Sequence, residues 1–506
     1  MFSDPPGVFR PPPGVHVMTT TSDPAASPSP QMIEPFAPLR DPQNGSPPAR
    51  GSTWALLRPV MLRVHFFAGV LVAPFLAVLC LTGLAYVFTP QLNNFVYQDE
   101  LIVDQPGGST RPLADQVAAA LAATPGATLS AVEPATAPDR TTKVALSLPE
   151  LPEGATQAVY VNPYTAEVQG SLTFLHSEPP LQATLRNLHG DLLLGDVGRL
   201  YSEFAASWLP VLVFGGLALW WTQRRSKRRA RALLLPPTHA RPGRGRIRGW
   251  HGSVGVWLTV ALLFISATGL TWSQYAGSRF ETIITALDGR SAKLTAQPVE
   301  AAGQPVSVDQ ALASARAAGL SEPVIITAPA TPGAPYKVAE SSKSWPIQRD
   351  QVAVHPYTGQ VSEQVSWSDN APLAKLTTIG IMAHTGTLFG LFNQFALAAM
   401  ALGLLAMLFW GYRMWWLRRP TRATAAVGAP APRGGLRTLP IPVLLVIVVV
   451  TAAVGWLIPI LGISLLLFLA ADQVWTRINR SKLSAQSPLA EEPEPPVEDP
   501  ALSSQR

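Results

Sequence analysis

Residues 65–84, HFFAGVLVAPFLAVLCLTGL, and residues 251–270, HGSVGVWLTVALLFISATGL, are apolar runs that align without a gap. Each is long enough to cross a bilayer, which takes roughly 20 apolar residues. His65 meets His251, Gly69 meets Gly255, and Thr82-Gly83-Leu84 meets Thr268-Gly269-Leu270. A second block repeats in the same order. LHGDLLLG sets His189 and Gly195 against His384 and Gly390 of AHTGTLFG, and that register carries Trp220-Trp221 onto Trp415-Trp416 and Arg224 onto Arg419. Between the blocks, VNPYTAEV (161–168) matches VHPYTGQV (354–361). The chain is therefore duplicated, and its fold must be built from two like halves.

Hydropathy gives four clear candidate spans, 64–89, 205–222, 252–274 and 388–412. A further apolar region, 439–475, is too long for one span; Pro459 and Gly462 near its middle divide it into spans near 440–457 and 460–475. That makes about six spans, with a re-entrant hairpin as the alternative for the last pair. The segment between spans two and three holds ten Lys/Arg from Arg224 to Arg248 and no acid. Between spans four and five lie Arg413, Arg418, Arg419, Arg422, Arg433 and Arg437, again with no acid. The positive-inside rule makes these loops cytoplasmic. Both termini are then cytoplasmic, and the inserts 91–187 and 274–383 face the other side. The rule accounts for the basic loops without nucleic acid, and GRGRIRG (243–249) lacks the spacing of a dinucleotide loop.

Two spans separate equivalent points, so both halves share one orientation. Parallel repeats of this kind are related by an axis along the membrane normal. His65 and His251 then start outward-running helices at the cytoplasmic edge, and His189 and His384 precede inward-running helices at the outer edge. Of the eight histidines, His16 and His239 fall in flexible cytoplasmic segments, and His176 and His355 have no partner in register. Two histidines facing each other between apolar helices suit the axial positions of a b-type haem. With Cys80 as the one cysteine, neither C-x-x-C-H attachment nor a cysteine-bound cluster is available, so any haem is non-covalent. Gly69 and Gly255 would let a flat ring approach the backbone, whereas Gly83 and Gly269 read as close helix packing. Zinc or copper at these histidines stays open, although carboxylates and thiolates are scarce nearby.

Each insert has one helical segment (113–123 and 308–318) and strand-like runs (143–148, 157–162, 323–328, 350–355), which makes a small α+β unit. Asn162-Pro163-Tyr164-Thr165 and His355-Pro356-Tyr357-Thr358 read as turns.

The motifs HFFAG…TGL, LHGDLLLGDVG, WHGSVGVW, AHTGTLFGLFNQ and GYRMWWLRRP resemble, in order, the PepSY-associated transmembrane family, also called iron-regulated membrane proteins. The resemblance covers about residues 54–475. Several members are ferric-siderophore reductases of the inner membrane, which implies haem-bearing helices passing electrons outward to ferric siderophores, with PepSY domains outside. By motif, the resemblance implies His65, His251, His189 and His384 as the haem-iron ligands, for two haems. The chain departs from the family in its long Pro-rich ends, and its two halves differ where the first has Arg199 and the second Gln394.

The resulting expectation is a mainly α-helical, duplicated inner-membrane protein with two small α+β PepSY-like inserts outside. Its segments are a disordered tail 1–53, TM1 54–90, insert 91–187, TM2 with an interfacial segment 188–223, basic loop 224–250, TM3 251–274, insert 275–383, TM4 384–417, loop 418–438, TM5 and TM6 439–475, and a disordered tail 476–506. Its expected partners are the lipid bilayer, a quinol or cytoplasmic reductase as electron donor, and a ferric siderophore. Arg63, Arg248 and Arg186 are candidates for the haem propionates. Two rival readings are a non-enzymatic PepSY scaffold or sensor, and a metal or siderophore transporter. A transporter would carry paired ions or broken helices in mid-membrane, and the clear spans lack buried carboxylates.

Overall fold

The computed structural model describes residues 53–224, 234–236, 238, 242–418 and 439–485. The expectations for the N-terminal tail, for residues beyond 485, for His16 and His239, and for most loop arginines lie outside these residues. Helix α1 (Thr53–Tyr86) leads to two short helices, α2 (Thr89–Val96) and α3 (Gln98–Leu101). The first insert is α4 (Leu113–Ala123), β1 (Thr128–Glu133), β2 (Thr142–Ser147), β3 (Ala155–Val161) and β4 (Val168–Leu175). Helices α5 (Pro180–Asp191) and α6 (Asp196–Arg224) complete the half. The second half runs α7 (Arg244–Leu270), α8 (Tyr275–Ala286), α9 (Val308–Ala317), β5 (Val324–Thr327), β6 (Tyr336–Glu340), β7 (Gln351–Val354), β8 (Val361–Val365), α10 (Pro372–His384) and α11 (Leu391–Trp416). A hairpin of α12 (Ile441–Leu457) and α13 (Pro459–Ala485) follows. Helix α13 runs ten residues into the segment expected to be a disordered tail, and α6 begins well before the expected span at 205.

Among the described residues, four helices are long and apolar enough to cross a membrane: α1, α6, α7 and α11. They form a ring in which α1 and α7 each pack on both α6 and α11. Equivalent helices of the two halves thus stand diagonally opposite. Small side chains allow the close approach, with Ala68, Ala205 and Ala401 in the shared core beside Val72, Leu209 and Leu262. Cys80 sits in that core as a small apolar residue. Helix α13 packs on α6, where the Trp208 indole N–H donates to Ser464 Oγ at 2.9 Å.

The inserts are not two separate units. Their strands form one eight-stranded antiparallel sheet, ordered β4-β3-β2-β1-β5-β6-β7-β8. The halves meet at β1 and β5, where Val132 pairs with Ile326 and Ala131 with Thr327. Antiparallel pairing of equivalent strands is what a two-fold axis between them produces. One core spans both inserts. Leu113, Val117 and Ala120 of α4 recur at helical spacing, as do Val308, Ala311, Leu312 and Ala315 of α9. Both helices press on the inward side chains of β2 and β6, including Val144, Leu146 and Val338. Asp309 of α9 accepts from the backbone N–H groups of Leu113 (2.7 Å) and Ala114 (2.9 Å), placing a carboxylate at the positive end of the other half's helix.

Candidate site: two histidine pairs in the helix ring

The four paired histidines lie at two levels of the ring. His65 on α1 and Thr82 on the same helix are separated by about 25 Å of rise at 1.5 Å per residue, and Thr82 holds His189. His65 and His251 thus mark the level near the basic loops, and His189 and His384 the level near the sheet.

At the basic end, His65 and His251 approach across the diagonal, with ring centroids 6.4 Å apart and planes at 86°. The Nδ1 of His251 lies 3.0 Å from the Met407 carbonyl. A carbonyl only accepts, so Nδ1 carries the hydrogen and Nε2 keeps its lone pair. Leu212, in register with Met407, offers its carbonyl to His65. That approach falls short of hydrogen-bond geometry and leaves His65 Nδ1 buried without a partner. Both rings rest on glycine. A Cβ on Gly216 would stand 3.0 Å from His65 Cε1, and one on its counterpart Gly411 would stand 4.0 Å from His251 Cε1.

The two rings line a cavity of about 320 Å³, walled by Leu76, Leu209, Val256 and Leu404 and bordered by Gly69 and Gly255. This is the size of a small-ligand pocket. Arg58, Arg244, Arg248 and Arg418 line it too, a concentration of like charge suited to an anionic group. Arg63 points elsewhere: it is buried and paired with Asp472 of α13, which removes it from the anion-binding candidates. Arg186 pairs with Glu178.

At the sheet end each histidine lies in the last turn of a short helix, α5 or α10, that packs on the start-of-half span, α1 or α7. Thr82 donates its hydroxyl to its own helix, at Val78 O (2.9 Å) or Leu79 O (3.2 Å), and so receives His189 Nδ1 at 3.0 Å. Thr268 does the same with Phe264 O (2.8 Å) or Ile265 O (3.2 Å) and receives His384 Nδ1 at 2.7 Å. Both histidines therefore also keep Nε2 free. A Cβ on Gly83 would lie 3.0 Å from His189 Cε1, and one on Gly269 would lie 3.5 Å from His384 Cε1. The Thr-Gly pairs read from sequence as helix packing are cradles for histidine rings. His384 lies within electrostatic reach of His189 and 5.3 Å from the ring of Trp272.

The other motif residues have structural work. Asn162 Oδ1 accepts from the N–H groups of Tyr164 (2.9 Å) and Thr165 (3.4 Å), and His355 Nδ1 from those of Tyr357 (3.3 Å) and Thr358 (3.2 Å), as turn chemistry requires. Arg199 is exposed, whereas Gln394 is buried and accepts from Gln91 Nε2 at 2.9 Å, so the two share no role. Sequence reading missed Glu203, a buried carboxylate near the sheet end of α6. It accepts from the N–H groups of Tyr275 (3.0 Å) and Ala276 (2.8 Å) and so ties α6 to the start of α8.

The spacing of the His65 and His251 rings is close to what one metal ion between two imidazoles would need. Two metal–nitrogen bonds of about 2 Å and roughly 1 Å from each nitrogen to its ring centre give about 6 Å between centroids, against the 6.4 Å found. Among the described residues no three His, Cys, Asp or Glu side chains converge as a metal site. Any ion held at this level would therefore have these two imidazoles as its side-chain ligands, the number that the axial positions of a haem require.

The family described as the PepSY-associated TM region matches residues 62–418, which contain all four histidines and both inserts. No curated protein matches the chain.

Proposed function

The chain belongs to the PepSY-associated TM family, and from that premise we propose that it is an inner-membrane oxidoreductase that carries electrons to ferric chelates, ferric siderophores among them, on the sheet side. The reading rests on one observation above all: four histidines in two-fold register, with His65 and His251 meeting at 6.4 Å. Two b-type haems, one per level, would supply reversible one-electron chemistry. His65 with His251, and His189 with His384, would hold them. Met407, Thr82 and Thr268 fix the ring tautomers so that Nε2 keeps its lone pair, and the glycines let the rings lie against the neighbouring helix. The apolar walls would hold the macrocycle, and Arg58, Arg244, Arg248 and Arg418 suit the propionate carboxylates.

In this reading the basic loops and both termini are cytoplasmic, and the hairpin of α12 and α13 adds a fifth and sixth span. The donor is a quinol or a cytoplasmic reductase. Ferrous iron binds siderophores weakly, so reduction releases the metal. Purified protein should show a b-type absorption spectrum that dithionite reduces. His65→Ala and His251→Ala should remove one spectral component, and His189→Ala and His384→Ala the other. Colourless protein from haem-replete cells would refute the reading. Loss of one shared component in His65→Ala and His189→Ala would refute the pairing alone.

A further inference from the structure

The two halves differ where an electron acceptor would arrive. In the first insert the β2–β3 loop, 148–154, reads LPELPEG and carries the exposed acids Glu150 and Glu153. In the second the β6–β7 loop, 341–350, is longer, reads SSKSWPIQRD, and carries Lys343 and Arg349. This longer loop leans onto the helix ring. The Trp345 N–H donates to the Leu388 carbonyl at 2.7 Å, and the Leu388 N–H donates to the Met382 carbonyl at 3.1 Å. Leu388 follows His384 by one helical turn of sequence. The loop is braced from within and below. Buried Ser342 donates to the carbonyls of Ser344 (3.0 Å) or Pro346 (3.5 Å), and Asp350 accepts from the Trp367 N–H at 2.7 Å.

On this frame Lys343 is exposed and Trp345 is 61 % exposed. Arg349 is half-buried. It donates to the Ser342 carbonyl at 3.4 Å, and its Nε is buried with no partner. No ion pair to a carboxylate is formed by Arg349 among the described residues. A partly dry guanidinium without a counter-ion is costly, and a visiting anion would offset that cost. The halves also differ beside these helix ends. Trp272, 5.3 Å from His384, is 47 % exposed, while its in-register counterpart Tyr86 is half-buried near Glu178, Gln182 and Arg186.

We propose that the 341–350 loop docks a small anionic ferric chelate beside His384, with Arg349 and Lys343 supplying the charge and Trp345 the apolar face. The proposal rests on the electron-conduit reading above. In the step it serves, one electron leaves the reduced protein and converts ferric to ferrous iron. The protein is oxidised by one electron, the quinol or reductase replaces it, and no bond to the protein forms.

The test is stopped-flow reoxidation of the dithionite-reduced full chain, followed in the visible band, with anionic ferric–EDTA or cationic hexaammineruthenium(III). The double variant Lys343→Gln/Arg349→Gln should be reoxidised by ferric–EDTA about tenfold more slowly at low salt, with the difference shrinking as salt rises. Its reoxidation by hexaammineruthenium(III) should not slow. Glu150→Gln/Glu153→Gln should leave ferric–EDTA reoxidation unchanged. Should Arg349→Gln impair folding, exposed Lys343→Gln alone gives a smaller slowing of the same sign. Wild-type ferric–EDTA rates in every loop variant overturn the docking site and leave the conduit standing. A wild-type chain with no reducible visible band overturns both.

Discussion

The duplication supplies an internal control for how tightly each histidine is held. An alanine Cβ at Gly83 would stand 3.0 Å from His189 Cε1 and 3.4 Å from Nδ1, closer than ordinary contact. At the equivalent Gly269 the nearest atom, His384 Cε1, is 3.5 Å away, an ordinary contact. His189 cannot retreat freely, because Thr82, one residue before Gly83, holds its Nδ1 at 3.0 Å. Overpacking of this kind costs about 1–3 kcal/mol, against the roughly 1 kcal/mol that alanine gains over glycine inside a helix. Gly83→Ala should therefore destabilise by about 1 kcal/mol, while Gly269→Ala should be neutral or stabilising by up to about 1 kcal/mol. The basic end repeats the contrast, with 3.0 Å at Gly216 and 4.0 Å at Gly411. Thermal unfolding of the four variants in detergent, read by tryptophan fluorescence, should rank Gly83→Ala and Gly216→Ala below wild type by a few degrees. Gly269→Ala and Gly411→Ala should match or exceed wild type. If both members of each pair shift Tm equally, the close approach of ring to glycine does not govern these sites.

Glu203→Ala leaves two N–H groups at the start of α8 without their acceptor, which should cost roughly 2–4 kcal/mol, and Glu203→Gln less; an unchanged Tm for the alanine variant would contradict the link. Hydrogen bonds from the Thr295 side chain and the N–H groups of Thr295 and Ala296 hold the exposed Glu363 carboxyl below its usual value. Because the folded value is the lower one, the carboxylate anchors the 295–296 segment fully above the ordinary glutamate range, about 4.3, and the anchor is lost as pH falls through the folded value. Hydrogen exchange at Thr295 and Ala296, corrected for intrinsic rates, should lose protection over that acid range in wild type and be unprotected throughout in Glu363→Ala; a pH-independent wild type would contradict it. Cysteines placed at exposed Glu153 and Ala301 should react with an impermeant maleimide in intact cells, and labelling only after lysis would invert the proposed orientation.

The parts of this fold that repeat at fixed spacing were legible. Hydropathy located the four candidate spans, and the register of His65 with His251 anticipated the ring contact found at the basic end. What stayed hidden depended on partners far away in the chain. Nothing local in Thr128–Glu133 or the short Val324–Thr327 marks the pairing that fuses the inserts, since a strand edge carries no address for its partner. Glu203 was missed because α6 begins at Asp196, a turn and more before its apolar run, so the carboxylate sat outside the span as read. Arg63 was assigned to an anion because Asp472 lies 409 residues away on a helix expected to be purely apolar.

The same comparison of halves separates what the fold needs from what one side does. His, Thr and Gly are present in both halves at the sheet end, and His and Gly in both at the basic end, each ring resting on a glycine of another helix. A duplicated packing role would tolerate leucine or phenylalanine at such positions, since apolar bulk alone fills a helix ring. Four half-buried imidazoles, three with Nδ1 occupied, keep instead an arrangement that costs desolvation and leaves Nε2 available. Outside the ring the halves part: Glu150 and Glu153 stand in the loop whose counterpart carries Lys343 and Arg349, and half-buried Tyr86 corresponds to exposed Trp272. Symmetry at the histidines with asymmetry above them is the pattern expected of a path that runs through both halves and opens on one.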